Sequence, residues 1–404
     1  MKYVDEFRSS EKVRLVAAAI TSEVKPSRTY RFMEFCGGHT HAIYRYGLPS
    51  LFPCNLTLVH GPGCPVCVLP MLRIEAGIRI ATKPNVIFCT FGDMIRVPAL
   101  HGRSLLKARA AGADVRMIYS PLDVLELAQA NPEKKVVFFA VGFETTTPMT
   151  ASLIKRAADL HTKNLYVFCN HVLTPPAVTV ILQGAEHTAK TARGHQRKGS
   201  TSPVLGPDID GIIGPGHVST IVGVDSYEGV VAKYQKPIVV SGFEPLDIMQ
   251  SVLMLVRQVN AMDQDAPAKV ENQYSRSATH QGNDLARAMV SEVFELRSTF
   301  EWRGLGFIPH SGLKIKNFYQ SFDAEEEFKD VFDATLVSSL NSEFPESPKS
   351  IDATLCRCGD ILRGLMKPSD CPLFGKACTP DDPVGACMVS SEGACAAYWT
   401  YGGV

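Results

Sequence analysis

Between residues 86 and 250 one pattern recurs: a short β-branched or aromatic run, a loop carrying Gly or Pro, and then an amphipathic helical stretch. The runs are VIFCTFG from Val86, VVFFAVG from Val136, LYVFCNH from Leu165, GIIGPG from Gly211 and PIVVSG from Pro237. A strand with one face in water alternates apolar and polar residues, whereas a strand buried on both faces reads as an unbroken apolar run. Unbroken runs separated by helical segments such as Pro121 to Ala130 and Ala151 to Leu160 call for parallel strands covered by helices on both faces. The expected fold is therefore α/β and doubly wound. Two of the runs end in the same tripeptide, Gly142-Phe143-Glu144 and Gly242-Phe243-Glu244, a hint of two related α/β domains.

With 404 residues the chain exceeds the size at which one core keeps growing, so it divides into domains. The expected division is an α/β domain over about 1–135, a second over about 136–260 with a cleft between them, and a helical linker with a small cysteine-rich domain over about 261–404, the domains being free to interleave. Ligands of open α/β sheets bind beyond the carboxyl ends of the strands, where the loops bearing Asp93, Glu144, His171, His217 and Glu244 fall. The basic stretch Lys190 to Pro203 reads as an exposed loop. Met262 to Asn283 and Asn341 to Ser350 read as linkers, and a helix is expected from Asp284 to about Ser298 with Asn283 as its N-cap.

Forty-one basic and 41 acidic side chains cancel, which argues against a nucleic-acid footprint or an electrostatic membrane tether and favours protein or small-molecule partners. The apolar run Leu15 to Ile20 is shorter than a signal-peptide core, and nothing later approaches the roughly 20 apolar residues that span a bilayer. The expected location is the cytoplasm, where thiols stay reduced. Twelve cysteines in such a chain point to metal or redox chemistry rather than to a disulfide scaffold. Cys89 and Cys169 sit inside apolar runs and read as core thiols, Cys54 less clearly so.

Three thiols and two imidazoles cluster in Cys36-Gly37-Gly38-His39-Thr40-His41 and in Gly61-Pro62-Gly63-Cys64-Pro65-Val66-Cys67. The glycines and prolines imply loops shaped to bring soft ligands together. Cys64 and Cys67 form a C-x-x-C ahead of a helical stretch from about Pro70 to Thr82, and the positive end of a helix favours thiolate. The spacing admits thioredoxin-like redox chemistry, a zinc site completed by His39 or His41, or a soft-metal site with Cys36 as third ligand. Glu144, in Gly142-Phe143-Glu144-Thr145-Thr146-Thr147-Pro148, either caps a helix beginning near Pro148 or serves as an acid.

Six further cysteines, Cys356, Cys358, Cys371, Cys378, Cys387 and Cys395, fall in the last 49 residues. Their spacing matches neither common ferredoxin pattern. Four ligands to a [4Fe–4S] cluster plus a redox-active pair leaves no thiol unused; structural zinc is the second reading.

FCGGHTHAI at Phe35 to Ile43, HGPGCPVCVLP at His60 to Pro70, GFETTTP at Gly142 to Pro148 and the cysteine tail together resemble the HypD family of hydrogenase maturation proteins, over nearly the whole chain. The resemblance implies that Cys36, Cys64 and Cys67 surround the place where an iron atom acquires two cyanides and one carbon monoxide, with Cys36 the principal ligand. His39 and His41 would be outer donors or proton carriers, one of them only capping a loop, and Glu144 a proton donor or orienting acid. It further implies a [4Fe–4S] cluster on Cys356, Cys371, Cys378 and Cys395, beside a Cys358–Cys387 redox pair. Expected partners are a HypC-type chaperone, a HypE-type protein presenting cyanide as a thiocyanate and, indirectly, the hydrogenase large subunit. The alternative function is a cluster-dependent protein disulfide oxidoreductase without mononuclear iron, which has little need for a third thiol and two imidazoles beside its C-x-x-C.

Overall fold

The computed structural model describes residues 5–192, 208–338 and 355–402. Nine parallel strands form two sheets: β1 Tyr30–Glu34, β2 Leu56–His60, β3 Val86–Thr90, β4 Asp114–Met117, β5 Lys135–Gly142, β6 Leu165–His171, β7 Gly211–Pro215, β8 Ile238–Ser241 and β9 Val270–Asn272. The first sheet has the order β2-β1-β7-β8-β9 and the second β4-β3-β5-β6. All the apolar runs expected to be strands are strands, and every pairing within these sheets is parallel.

Burial explains the unbroken runs. Met33, Ile212, Ile238 and Val240 of the first sheet and Val86, Phe88, Val137, Phe139 and Phe168 of the second share one central core, lying with the helix Met71–Ala81. Alternate residues face outward into two further cores. Phe32, Ile213 and Val239 pack under the helices Ser10–Glu23 and Pro245–Met262. Ile87, Val136 and Phe138 pack under Leu122–Ala130 and Thr147–Asp159. Each fully buried Phe contributes roughly 1.5–3 kcal/mol, and Phe139 also stacks on Phe168 at 5.2 Å.

The sheets interleave in sequence. The first draws strands from residues 30–60 and 211–272, the second from 86–171. Three local expectations need correction. Met262 to Asn283 is not simply a linker, because it supplies β9, which pairs with β8. The helix capped by Asn283 ends at Val293 rather than near Ser298, since Phe294–Leu296 turns extended and pairs with Leu313–Ile315. CGGHTH is not a loop: Cys36 is the N-cap of a helix over Gly37–Arg45. The basic stretch is described only to Ala192, where the helix Thr174–Ala192 ends; the rest of it, and Asn341 to Ser350, lie outside the described residues.

The cysteine-rich tail packs back on the CGGHTH helix. Its last helix, Ala394–Tyr401, sets Tyr398 edge-on to Tyr44 at 5.1 Å and Tyr401 within hydrogen-bonding distance of His41, 3.1 Å. Ser390 donates to Asp93 beyond β3 at 2.7 Å, a second tie between tail and body. Among the described residues no helix is long and apolar enough to cross a membrane.

Candidate functional site

In a doubly wound sheet the chain leaves neighbouring strands in opposite directions at one point, and a crevice opens there beyond the carboxyl ends. In the first sheet that point lies between β1 and β7. Two residues past β1 stands Cys36; two past β7 stands His217. Their side chains meet, with Cys36 Sγ 3.3 Å from His217 Nδ1.

The glycines around Cys36 are there for close approach. Gly37, Gly38, Gly61 and Gly63 all lack a left-handed φ. A Cβ on Gly63 would stand 2.7 Å from the Cys36 carbonyl carbon, one on Gly61 2.8 Å from the Glu34 carbonyl oxygen, and one on Gly38 3.0 Å from the Phe243 ring. The GPGCPVC segment is thus laid directly on the Cys36 backbone, and Gly37 N–H donates to the Gly63 carbonyl at 3.0 Å.

Cys36 is buried and makes no capping bond with its own helix, so its sulfur is free to face the crevice. Burial, then the charges of Glu392 and Glu34, push its thiol well above the ordinary range, against the amides of Gly38 and His39. Beneath it lies a network that sequence reasoning missed. Buried Glu34 accepts from the Cys36 amide at 3.1 Å, from the Thr40 hydroxyl and from His60 Nδ1 at 2.7 Å, while His60 Nε2 meets Tyr44 Oη at 3.0 Å. The only signal in the sequence was a carboxylate at the end of a short strand, two residues before Cys36.

His39 is fully buried; its Nε2 donates to the Ser241 carbonyl at 3.2 Å, and Nδ1 has no partner among the described residues. Phe243, from the second GFE tripeptide, stacks on His39 at 4.9 Å and lies tilted against His217 at 5.4 Å. Burial lowers both imidazoles to about 4, so both are neutral at physiological pH. His41 takes no part in this cluster. It is partly exposed and holds the tail through Tyr401.

Cys64 and Cys67 are joined as a disulfide across the short helix Pro65–Val68, so neither presents a free thiol. That helix packs against the turn Ala386–Met388, which carries Cys387. Cys387 Sγ lies 2.8 Å from Cys358 Sγ. All six tail thiols line one small cavity whose remaining walls include Ile361, Leu373, Phe374 and Met388. Among the described residues no three His, Cys, Asp or Glu side chains are grouped as ligands of a single ion. Cys89 and Cys169 are buried in the outer core of the second sheet, and Cys54 is exposed.

The other residues at the strand ends do not converge on Cys36. Glu144 does not cap the helix that follows it, which begins at Thr147; it accepts instead from Thr174 N (2.7 Å) and Thr174 Oγ1 (3.0 Å) at the start of the helix Thr174–Ala192. Burial outweighs those bonds and raises it to about 7. His171 is buried against Thr150 at 2.9 Å. Glu244 caps the helix Pro245–Met262 and pairs with Arg8, 2.5 Å.

A family model described as the HypD, "Hydrogenase formation hypA family", matches residues 11–402. The chain belongs to the HypD family. Its relatives include hydrogenase maturation factor HypD2 of Bradyrhizobium diazoefficiens, 52% identical over 402 residues, 100% of this chain and 97% of the relative. Hydrogenase maturation factor HypD of Azotobacter vinelandii is 52% identical over the same coverage, and that of Escherichia coli K12 is 44% identical over 99% of this chain and 98% of its own. The HypD segments CGGHTH and GPGCPVC therefore form one packed unit at the switch point of the first sheet, whereas GFETTTP lies at the end of β5 in the second.

Proposed function

We propose that this HypD-family chain is the scaffold and redox catalyst on which the Fe(CN)2CO unit of [NiFe]-hydrogenase is assembled, together with a HypC-type chaperone and a HypE-type cyanide donor. The observation that carries the reading is the succession of sulfurs: the free Cys36 thiol beside His217, the Cys64–Cys67 disulfide in the segment whose Gly63 abuts the Cys36 backbone, and the Cys358/Cys387 pair, whose Cys387 sits in the turn packed against the helix Pro65–Val68. Iron carrying strong-field diatomics favours soft thiolate donors and open positions. Cys36 provides one such donor to the iron substrate, and the chaperone provides the second.

Freeing cyanide from a thiocyanate breaks its S–C bond, takes up two electrons and leaves a thiolate and cyanide. A dithiol stores two electrons and becomes a disulfide in giving them up. Cys64 and Cys67, once reduced, deliver the pair beside Cys36, and Cys358 and Cys387 recharge them by thiol–disulfide exchange. Neutral His39 and His217 supply a donor and an acceptor at the crevice.

The donor set suits a resident [4Fe–4S] cluster: six thiols converge on one enclosed, largely apolar cavity, where four can bind irons and two remain for redox work. Cys356, Cys371, Cys378 and Cys395 would hold it, leaving the close pair Cys358 and Cys387. Such a cluster supplies electrons one at a time. A stand-alone disulfide reductase is the less economical reading, because it leaves the Cys36–His217 contact without a task.

Cys358→Ser tests the relay. The variant keeps cluster absorption and binds iron at Cys36, yet stops forming cyanide ligands once stored electrons are spent. Full cyanide loading per iron from a physiological donor would rule the relay out, and loss of the cluster would make Cys358 one of its ligands.

A further inference from the structure

Arg303 stands in the turn of the antiparallel hairpin formed by Thr299–Trp302 and Gly306–Pro309. Its backbone N–H donates to the Val68 carbonyl at 2.7 Å and its Nε to the Leu69 carbonyl at 2.9 Å, the two residues that follow Cys67. The next residue, Gly304, has φ +81° and packs on Gly359, one residue past Cys358. One hairpin turn thus touches both the segment that follows the C-x-x-C and the residue that follows Cys358. The guanidinium lines a cavity of about 320 Å³ with Cys356, Cys358 and Gly385. There Arg357 and Arg363 are both committed to Asp360, whereas Arg303 Nη2 is buried and without a partner among the described residues. Burying a charged donor without a partner is costly, so such a group is retained where an anion arises transiently.

We propose that Arg303 is the positioning residue of the thiol exchange between the tail pair and the C-x-x-C, fixing the carbonyls behind Cys67 and offering Nη2 to the sulfur that carries negative charge. The inference rests on the relay proposed above. In the exchange a tail thiolate attacks one sulfur of Cys64–Cys67 and the S–S bond breaks as a mixed disulfide forms. The displaced sulfur becomes a thiolate. The second tail thiolate then attacks the mixed disulfide, closing Cys358–Cys387 and leaving Cys64 and Cys67 reduced. Two electrons pass to the C-x-x-C, and the two protons given up by the tail thiols are balanced by two taken up at Cys64 and Cys67.

The test follows reduction of Cys64–Cys67 in the cluster-loaded full chain after a limiting chemical reductant, by acid quench, differential alkylation and mass spectrometry. R303M is expected to slow transfer from the tail pair by about tenfold or more, with cluster absorption and melting temperature retained. R303K recovers part of the rate, and millimolar methylguanidinium raises the rate of R303M. Transfer in R303M at the wild-type rate overturns the assignment. If R303M loses its fold or cluster, R303K decides: a rate below wild type with the cluster intact supports the role of the guanidinium, and an unchanged rate refutes it. Absence of transfer between the pairs in the wild-type chain would instead defeat the relay itself.

Discussion

Replacing Glu144 by Gln should make this protein more stable above neutral pH, although it removes a charge from a signature segment. Glu144 is buried, and its carboxyl is raised from the ordinary 4.5 to about 7. Between those values the folded chain holds a proton that the unfolded chain releases, so stability falls as pH rises through the interval. At about 1.4 kcal/mol per pH unit, the loss by pH 8 is about 3 kcal/mol. A glutamine keeps both bonds to Thr174: its carbonyl accepts from the backbone amide, and its NH2 donates to the hydroxyl oxygen. The two proteins should therefore melt together near pH 4.5, while E144Q melts roughly 3–6 °C higher at pH 8 for a chain of this size. Scanning calorimetry at the two pH values decides it. Parallel melting across the range, or a less stable E144Q at pH 8, would refute the burial argument; a stabilised variant that cannot support maturation would assign chemistry to this carboxyl.

Gly63→Ala places a methyl 2.7 Å from the Cys36 carbonyl carbon; overpacking of this kind costs roughly 1–3 kcal/mol. The fold should survive with Cys36 displaced, so that on the proposed function iron loading is lost while absorption of the proposed tail cluster persists, and normal loading would contradict the contact. His39, lowered to about 4 by burial, should stay neutral from pH 8 to pH 5 in nitrogen NMR of its ring; titration near 6.5 would show the ring to be solvated. With 41 basic and 41 acidic side chains, the chain should bind the proposed HypC-type chaperone with an affinity that changes little between low and high salt in calorimetric titration. A steep loss with salt would place the interface on charge instead.

The parallel sheets were legible in the sequence because burial on both faces writes itself as unbroken apolar runs, and Val86, Val136, Leu165, Gly211 and Pro237 each lie within one residue of the start of a strand. Their division between two sheets was not. The pairing of β1 with β7 joins residues about 180 apart in sequence, and nothing local specifies it. The thiols of the site were legible by type and spacing, but their companions were less so. Glu34, His60 and Phe243 acquire their roles only through contacts made across the fold, and His217 was visible only as a strand-end residue. Arg303 carries no motif at all. His41, adjacent in sequence to the buried cluster, faces the tail because a helix turns Thr40 and His41 to different sides. Glu144 was read from its strand-end position; which helix it holds depends on β6 lying beside β5.

The central claim is that Cys36 carries the iron unit, and infrared spectroscopy of the anaerobically purified protein with its small chaperone addresses it most directly. Bands in the CN and CO stretching regions are expected for the wild-type chain. Cys36→Ala should lose them while keeping its fold and tail-cluster absorption, because the thiol is the one free sulfur at the switch point of the first sheet. Retention of both sets of bands in Cys36→Ala would contradict the account.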